Sequence, residues 1–433
     1  MKIPGLLSLE FMTLRLKIIY RIIIFLFIII LSNCNESKEI KNQPEAIKGV
    51  LDLREWDFEK DGPVNLNGEW EFYWKALFIP DYFESDRLPA KPEYVKVPSV
   101  WNGYAINNEK LSGDGYATYR LIIKTKKNLT ITRAIRFTNL SSAYIMWVNG
   151  KGVIRAGKVG RKSSEHEPNL ANAFFRLPEL SETQENYDKI EIVLQISNFS
   201  HSKGGLWSEM VFGDEPQIIK IRNNYLFTDL FHFGILVALG LYHFVIFSLR
   251  RKDLSPLYYG LFCLMVSINL ISQRERVLYD YFSVPWSMNL KIDYLSFYIV
   301  IPIFVFFIHS LFPNEIRKLF INIVAVTGLA LSMIVIFTDA KFYTLTEEFF
   351  EYFSVACGVY CLFGLFNAVY QGRDGAVLFV ISFVILFSTF IIDIFNEQFK
   401  FSIPTLTPSG LLVFSFFSSD YSCKEIFNRI IAF

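Results

Sequence analysis

Apolar and polar positions follow two different rhythms along this chain. From about 45 to 222, β-branched and aromatic residues alternate with polar ones in short runs, separated by Gly, Pro, Asn and Asp. Alternation of this kind turns one face of a strand toward a core and the other toward water. The runs include Gly68 to Trp74, Tyr94 to Val97, Ala117 to Lys124, Ala134 to Phe137, Tyr144 to Val148 and Ile190 to Ile196. Asn149-Gly150 follows Val148 directly. That dipeptide favours a tight hairpin, because both positions accept positive φ. The block is expected to be an all-β sandwich.

From about 226 the alternation gives way to long apolar runs at 227–249, 257–273, 294–312, 319–338, 352–370, 376–395 and 402–417. Most approach or reach the roughly 17–25 residues that a helix needs to cross a bilayer. The fold class expected is an all-β ectodomain followed by an all-α bundle of seven transmembrane helices, with the lipid bilayer as its partner. The domains expected are 45–222 and 223–417, with a short tail at 418–433.

Composition agrees with this division. The 433 residues are 52% hydrophobic and 20% charged, against about 45–50% and 25% in soluble domains. The excess lies after residue 225. A net charge of +1 gives no field to attract a polyanion, so no nucleic-acid partner is expected.

Residues 1–34 read as an export signal. Arg15, Lys17 and Arg21 form a positive segment, and Ile22 to Leu31 an apolar one of the usual length. Leu31-Ser32-Asn33-Cys34 then resembles a bacterial lipobox, with Cys34 as the lipidated residue, although Asn33 stands where Gly, Ala or Ser is usual. An uncleaved anchor helix with an incidental Cys34 is the other reading. Residues 35–44 form a linker. Cys263, Cys357 and Cys361 lie in apolar helices, where Cys acts as a small hydrophobe. Cys357 and Cys361 are one turn apart, but no further Cys or His joins them at a fixed offset, so no metal site is expected. The β block has no Cys and hence no disulfide framework.

Several segments together resemble a galactose-binding-like jelly roll. They are Leu66 to Trp74, Val97 to Trp101, Gly113 to Arg120, Trp147 to Gly150 and Gln195 to Phe199, ending in Gly204-Gly205. The resemblance implies a ligand rim built from loops, with a small molecule, in particular a carbohydrate, as the ligand. Aromatic faces would stack on the sugar and polar groups would take its hydroxyls. Trp101, Tyr104 and Trp207 are the aromatic candidates, and Arg161, Glu165 and His166 the polar ones. Trp70, Trp74 and Trp147, inside strand-like runs, read as core. No carboxylate pair is placed for glycoside hydrolysis, so no catalytic residue and no enzyme activity is expected.

The helical half carries its own resemblance. Asp229 to Leu236, Leu241 to Phe244, Arg250 to Asp253, Leu257 to Phe262 and Thr407 to Phe414 are similar to the bacterial seven-transmembrane receptors with diverse intracellular signalling modules. The family usually has Asn-Asp in the sixth helix, where this chain has Ile392-Asp393. The resemblance implies a signalling receptor in the cytoplasmic membrane, with the β block in the periplasm and the C-terminus in the cytoplasm. Arg250-Arg251-Lys252, Arg317-Lys318 and Arg373 fall on the inner ends under that orientation, as the positive-inside rule asks. A transporter or channel with an accessory sugar-binding domain is the alternative, although no internal repeat is visible.

His232, His243 and Asp393 are ionisable groups inside apolar helices, where function is the first reading. A polar relay from ectodomain to bundle is one reading and plain interhelical hydrogen bonds the other. With His309 they lack the paired-helix pattern of haem ligands, so no cofactor is expected. The tail breaks the last apolar run abruptly at Ser418-Ser419-Asp420. Codons permitted for these residues, read one nucleotide later, can spell a continuation through Gln-Ala-Ile-Ile-Leu to a basic Lys-Arg-Phe end. The tail therefore reads as frameshifted, the alternative being a short member that signals through a separate cytoplasmic protein.

Overall fold

In the computed structural model, the described residues are 42–84, 91–106, 108–127, 131–137, 140, 142–169, 173–177, 187–273, 275–282, 284–399, 406–415 and 417. The export segment with Cys34, and the tail at 418–433, lie outside them.

Thirteen strands, numbered along the chain, make up the N-terminal block among the described residues. One sheet runs β10 (Lys151–Ala156), β9 (Ala143–Val148), β12 (Tyr187–Asn198), β7 (Gly115–Lys126), β3 (Gly68–Trp74), β4 (Glu93–Val97), with β1 (Val50–Leu53) pairing parallel to β7. The facing sheet runs β11 (Ala173–Arg176), β8 (Arg133–Phe137), β13 (Val211–Asp214), β2 (Val64–Asn65). A small hairpin joins β5 (Ala105–Ile106) to β6 (Glu109–Lys110). This is the two-sheet sandwich that the alternation predicts. Asn149 and Gly150 turn β9 into β10 with φ of 48° and 75°, the positive values such a turn needs.

The sandwich core is one cluster, with Trp70, Phe72, Tyr119, Tyr144, Phe137 and Phe212 among its fully buried side chains. Trp74 packs at its margin and Trp147 is half-buried. On β8 every position is buried, including two arginines. Each arginine has a carboxylate: Arg133 pairs with Asp214, and Arg136 with Glu275 of the helical half.

Strand β13 passes into the first long helix with no loop between them. Asp214 ends the strand and caps α1 (Glu215–Leu249), in a capping box completed by Gln217. The 35 residues of α1 span about 52 Å at the usual rise. The hydrocarbon layer is only ~30 Å thick, so the first turns of α1 stand outside it. The apolar run starting at 227 marks the lipid-crossing part alone, and the expected domain boundary at 222 falls inside this helix.

Further long helices are α2 (Ser255–Ser272), α3 (Trp286–Leu311), α4 (Lys318–Phe337), α5 (Glu347–Tyr370) and α6 (Ala376–Phe399). Six helices among the described residues are long and apolar enough to cross a membrane. Of the seventh expected run, 407–415 is helical and 402–405 lies outside the described residues. Small residues set the spacing. Gly240 of α1 and Gly260 of α2 bring the two backbones together, and Gly328 of α4 sits against Pro302 of α3, where a Cβ would overlap the proline ring. At one end of the bundle Arg373 binds Glu315 at 2.8 Å, tying the α5–α6 turn to the α3–α4 turn.

Candidate functional site at the junction of sandwich and bundle

A chain of hydrogen bonds gathers the loops at one end of the sandwich. The Gly160 amide donates to Ser197 Oγ at 3.1 Å, and Ser197 Oγ lies 2.8 Å from His166 Nδ1. His166 Nε2 lies 3.0 Å from Ser142 Oγ, which donates to Asn198 Oδ1 at 2.8 Å. These directions fit one arrangement, a neutral imidazole that accepts at Nδ1 and donates at Nε2. Asn198 Nδ2 then donates to the carbonyls of Gly113 and His201 at 2.9 and 2.7 Å. The same Gly113 carbonyl receives the Trp101 indole N–H at 3.0 Å. Beyond it, the ring of His201 meets Trp207 edge-on at 5.2 Å.

The structure thus links three of the six rim candidates, Trp101, His166 and Trp207, but not as an open rim. Trp101 is 0% exposed and belongs to the sandwich core. Its 3₁₀ turn reads as loop in sequence, yet its ring fills the space beside Gly204 and meets Trp74 at 5.2 Å. His166, expected on a loop-built ligand rim, is 7% exposed, and two serines satisfy both its ring nitrogens. Trp207 is half-buried. Tyr104 is half-buried too, and its hydroxyl donates to the Lys96 carbonyl at 2.9 Å. Arg161 and Glu165 are exposed, and Glu165 accepts from the Arg161 amide at 3.3 Å.

This end of the sandwich meets the bundle. Lys203 Nζ lies 3.2 Å from Glu347 and 3.5 Å from Glu348 at the start of α5. The Ser202 amide donates to Thr344 Oγ1 at 3.1 Å, Lys341 pairs with Asp114, and the Tyr279 hydroxyl bonds Asn169 at 2.7 Å. Buried Arg136 pairs with Glu275 and lies 4.9 Å over the Tyr225 ring of α1. These bundle partners come from α1, from the α2–α3 and α4–α5 connections and from the start of α5, the side to which alternate crossings return the chain. Beside them Arg176 binds Glu215 at 2.5 Å in the first turn of α1, and Arg133 covers the Phe58 ring at 4.1 Å. Burial pushes the Asp214 carboxyl above its ordinary value and the Arg133 guanidinium below its own, so this pair fixes geometry at a desolvation cost. Sequence reasoning missed Arg136, Lys203 and Glu275. The only signal was two arginines inside a five-residue strand.

His232 Nδ1 bonds the Thr228 carbonyl at 2.7 Å and His243 Nδ1 the Leu239 carbonyl at 2.9 Å, each one turn back on α1. His243 also meets the Tyr259 ring at 4.5 Å. Asp393 accepts from the amides of Leu406 and Thr407 at 2.8 and 2.7 Å, capping the helix 407–415. Asp393 thus binds the start of that helix, and each histidine binds a carbonyl of its own helix.

Burial holds both His166 and His201 near pKa 4, below the ordinary 6.5, so the fold keeps them neutral. The unfolded chain protonates them near 6.5. The stability tied to their neutrality is complete above that pH, falls by on the order of 1.4 kcal/mol per pH unit per histidine as pH drops toward 4, and levels off below. Thermal melts of the full chain should fall between pH 6.5 and 5. A flat midpoint over that range would refute the assignment.

A β-sandwich joined without a loop to a bundle of membrane-length helices defines a membrane protein with a folded head outside the lipid. Residues 225–419 match the family described as 7TM diverse intracellular signalling. The match covers most of the helical half of the chain. Among solved structures the chain is similar to a β-glucuronidase from Ruminococcus gnavus bound to uronic deoxynojirimycin, at 16% identity over 35% of this chain and 29% of that one, with a TM-score of 0.25. It is also similar to an uncultured Clostridium sp. β-glucuronidase, at 14% identity over 35% and 29%, TM-score 0.26. A third is a putative β-galactosidase from Bacteroides fragilis, at 18% identity over 35% and 22%, TM-score 0.25. The chain spans less than a third of the length of these enzymes, and nothing of their activity passes to it at this level. No curated protein matches the chain.

Proposed function

We propose that this chain is a signalling receptor of the cytoplasmic membrane. Its sandwich sits in the periplasm and takes a small ligand, with carbohydrate as the class. Its bundle passes the bound state to a signalling protein in the cytoplasm. The observation that carries this reading is the loop-free passage from β13 into α1, reinforced by the Arg136–Glu275 and Lys203–Glu347 pairs. A rigid strand-to-helix joint moves the helix whenever the sheet moves, and ion pairs to the α2–α3 connection and to the start of α5 couple that motion to two further parts of the bundle. Arg161 and Glu165, exposed beside the buried His166 network, are the polar groups placed to meet a ligand's hydroxyls. The basic ends at Arg250-Arg251-Lys252, Arg317-Lys318 and Arg373 lie at the other end of the bundle, which supports a cytoplasmic assignment for it.

Hydrogen exchange on the full chain in nanodiscs, with and without a panel of mono- and oligosaccharides, tests both halves of the proposal. A ligand should slow exchange in the 157–169 and 198–207 loops and also change it at 250–253 and 371–375. Protection by no sugar, or protection confined to the sandwich, would overturn the corresponding half. Reporter fusions after Lys252 should be active inside the cell only, and activity outside would overturn the orientation.

A further inference from the structure

Two cavities adjoin inside the bundle, across a wall shared by Val266, Asn269, Phe297, Phe390, Thr407 and Leu411. The first, of about 320 Å³, lies toward the sandwich, and Asp293, Glu347, Glu351 and Asp393 line it together with Asn269 and Gln273. The second, of about 170 Å³, is apolar and lined by Phe262, Phe304, Phe383 and Phe387, among others. Among the described residues lining either chamber, none is Lys, Arg or His.

Two of these carboxylates are held in place by hydrogen bonds. Asp293 accepts from Asn269 at 3.0 Å and Gln273 at 2.8 Å, and Asp393 is held by two backbone amides. Lys203 of the sandwich reaches Glu347 at 3.2 Å, so a tethered ammonium already sits at one of these carboxylates. In the shared wall the Thr407 hydroxyl is buried and has no hydrogen-bond partner among the described residues. A buried hydroxyl in that condition costs about 1–3 kcal/mol until something bonds it. A dry cavity of about 150 Å³ lined by apolar side chains takes a benzene-sized guest, so the second chamber has room for one phenyl ring.

We propose that this paired cavity binds a lipophilic amine, with its ammonium among Asp293, Glu347, Glu351 and Asp393 and its apolar body in the phenylalanine-lined chamber. Acidic chemistry at one end excludes anions, and the apolar chamber at the other rejects a small hydrated cation, for which dehydration would go uncompensated. The site is separate from whatever ligand the sandwich takes, and its occupancy is readable without any signalling output.

The test uses the full chain in lipid nanodiscs and three probes of one shape: phenethylamine, phenethyl alcohol and phenylacetate. The amine should raise the melting temperature with a saturable concentration dependence, and the other two should leave it unchanged. Glu351→Gln and Asp293→Asn should each weaken amine binding by roughly ten- to a hundredfold, as loss of a charge-assisted hydrogen bond implies. Equal stabilisation by the alcohol and the amine would overturn the proposal, because partition into apolar space would then suffice. So would full amine affinity in both variants. Should neither variant fold, the three-probe comparison on the unaltered chain still decides.

Discussion

Trp101→Ala should cost the sandwich about 3–5 kcal/mol, the range for removing a fully buried Trp or Phe. Several interactions go at once. The ring fills the space beside Gly204, and its N–H satisfies the Gly113 carbonyl at 3.0 Å. The backbone amide of residue 101, which the substitution keeps, bonds the Gly204 carbonyl at 2.9 Å and holds the two loops apart around the space the indole leaves. The cavity left cannot collapse, because β7 and β12 behind it hold a fixed register over twelve residue pairs. For a domain of this size the melting midpoint should fall by roughly 6–20 °C. Tryptophan fluorescence melts of the full chain would read it, and Trp101→Phe should recover part of the loss. A change below ~1 kcal/mol would mean the indole is not packed as described.

Arg136→Ala should loosen the seating of the sandwich on the bundle by about 3–5 kcal/mol, the usual loss when one member of a buried ion pair is removed and the other charge stays behind. Both members are nearly inaccessible, at 10% and 6% side-chain exposure. The effect should be local in a way a core mutation is not. Hydrogen exchange should rise at 275–282 and in β8, while β7 and β12 keep their protection. Replacing Arg136 and Glu275 together by leucine should restore much of the loss, since the cost comes from the orphaned charge. Unchanged exchange at 275–282 in Arg136→Ala would show that this pair does not hold the junction.

Strand and helix identity were legible in the sequence to within a few residues. Gly68–Trp74 is β3 as the alternation has it, and the apolar runs at 257–273 and 319–338 match α2 and α4 closely. The start of α1 was not legible. Its first twelve residues, Glu215 to Leu226, are mostly polar, and they are helical because Asp214 caps them and Arg176 binds Glu215 in their first turn. The start of α3 was hidden for the same reason, with Asn289, Lys291 and Asp293 interrupting its apolar run. Hydropathy reports which part of a helix lies in lipid, not where its hydrogen bonds begin.

By itself the sequence determined the two-part architecture, since alternation with period two and unbroken apolar runs belong to different environments and neither pattern can adopt the other's. It also determined the turn at Asn149-Gly150. Tertiary structure decided which loop residues are exposed. Trp101 and His166 sit in segments that read as loop, and only the packing of Gly204 against one and of Ser142 and Ser197 around the other shows them buried. Tertiary structure also decided that the loop end of the sandwich closes onto the bundle. Arg136 and Glu275 are 139 residues apart and Lys203 and Glu347 are 144 apart. No local pattern encodes such pairs, because a charge on a strand or loop reads the same whether water or a distant carboxylate will meet it.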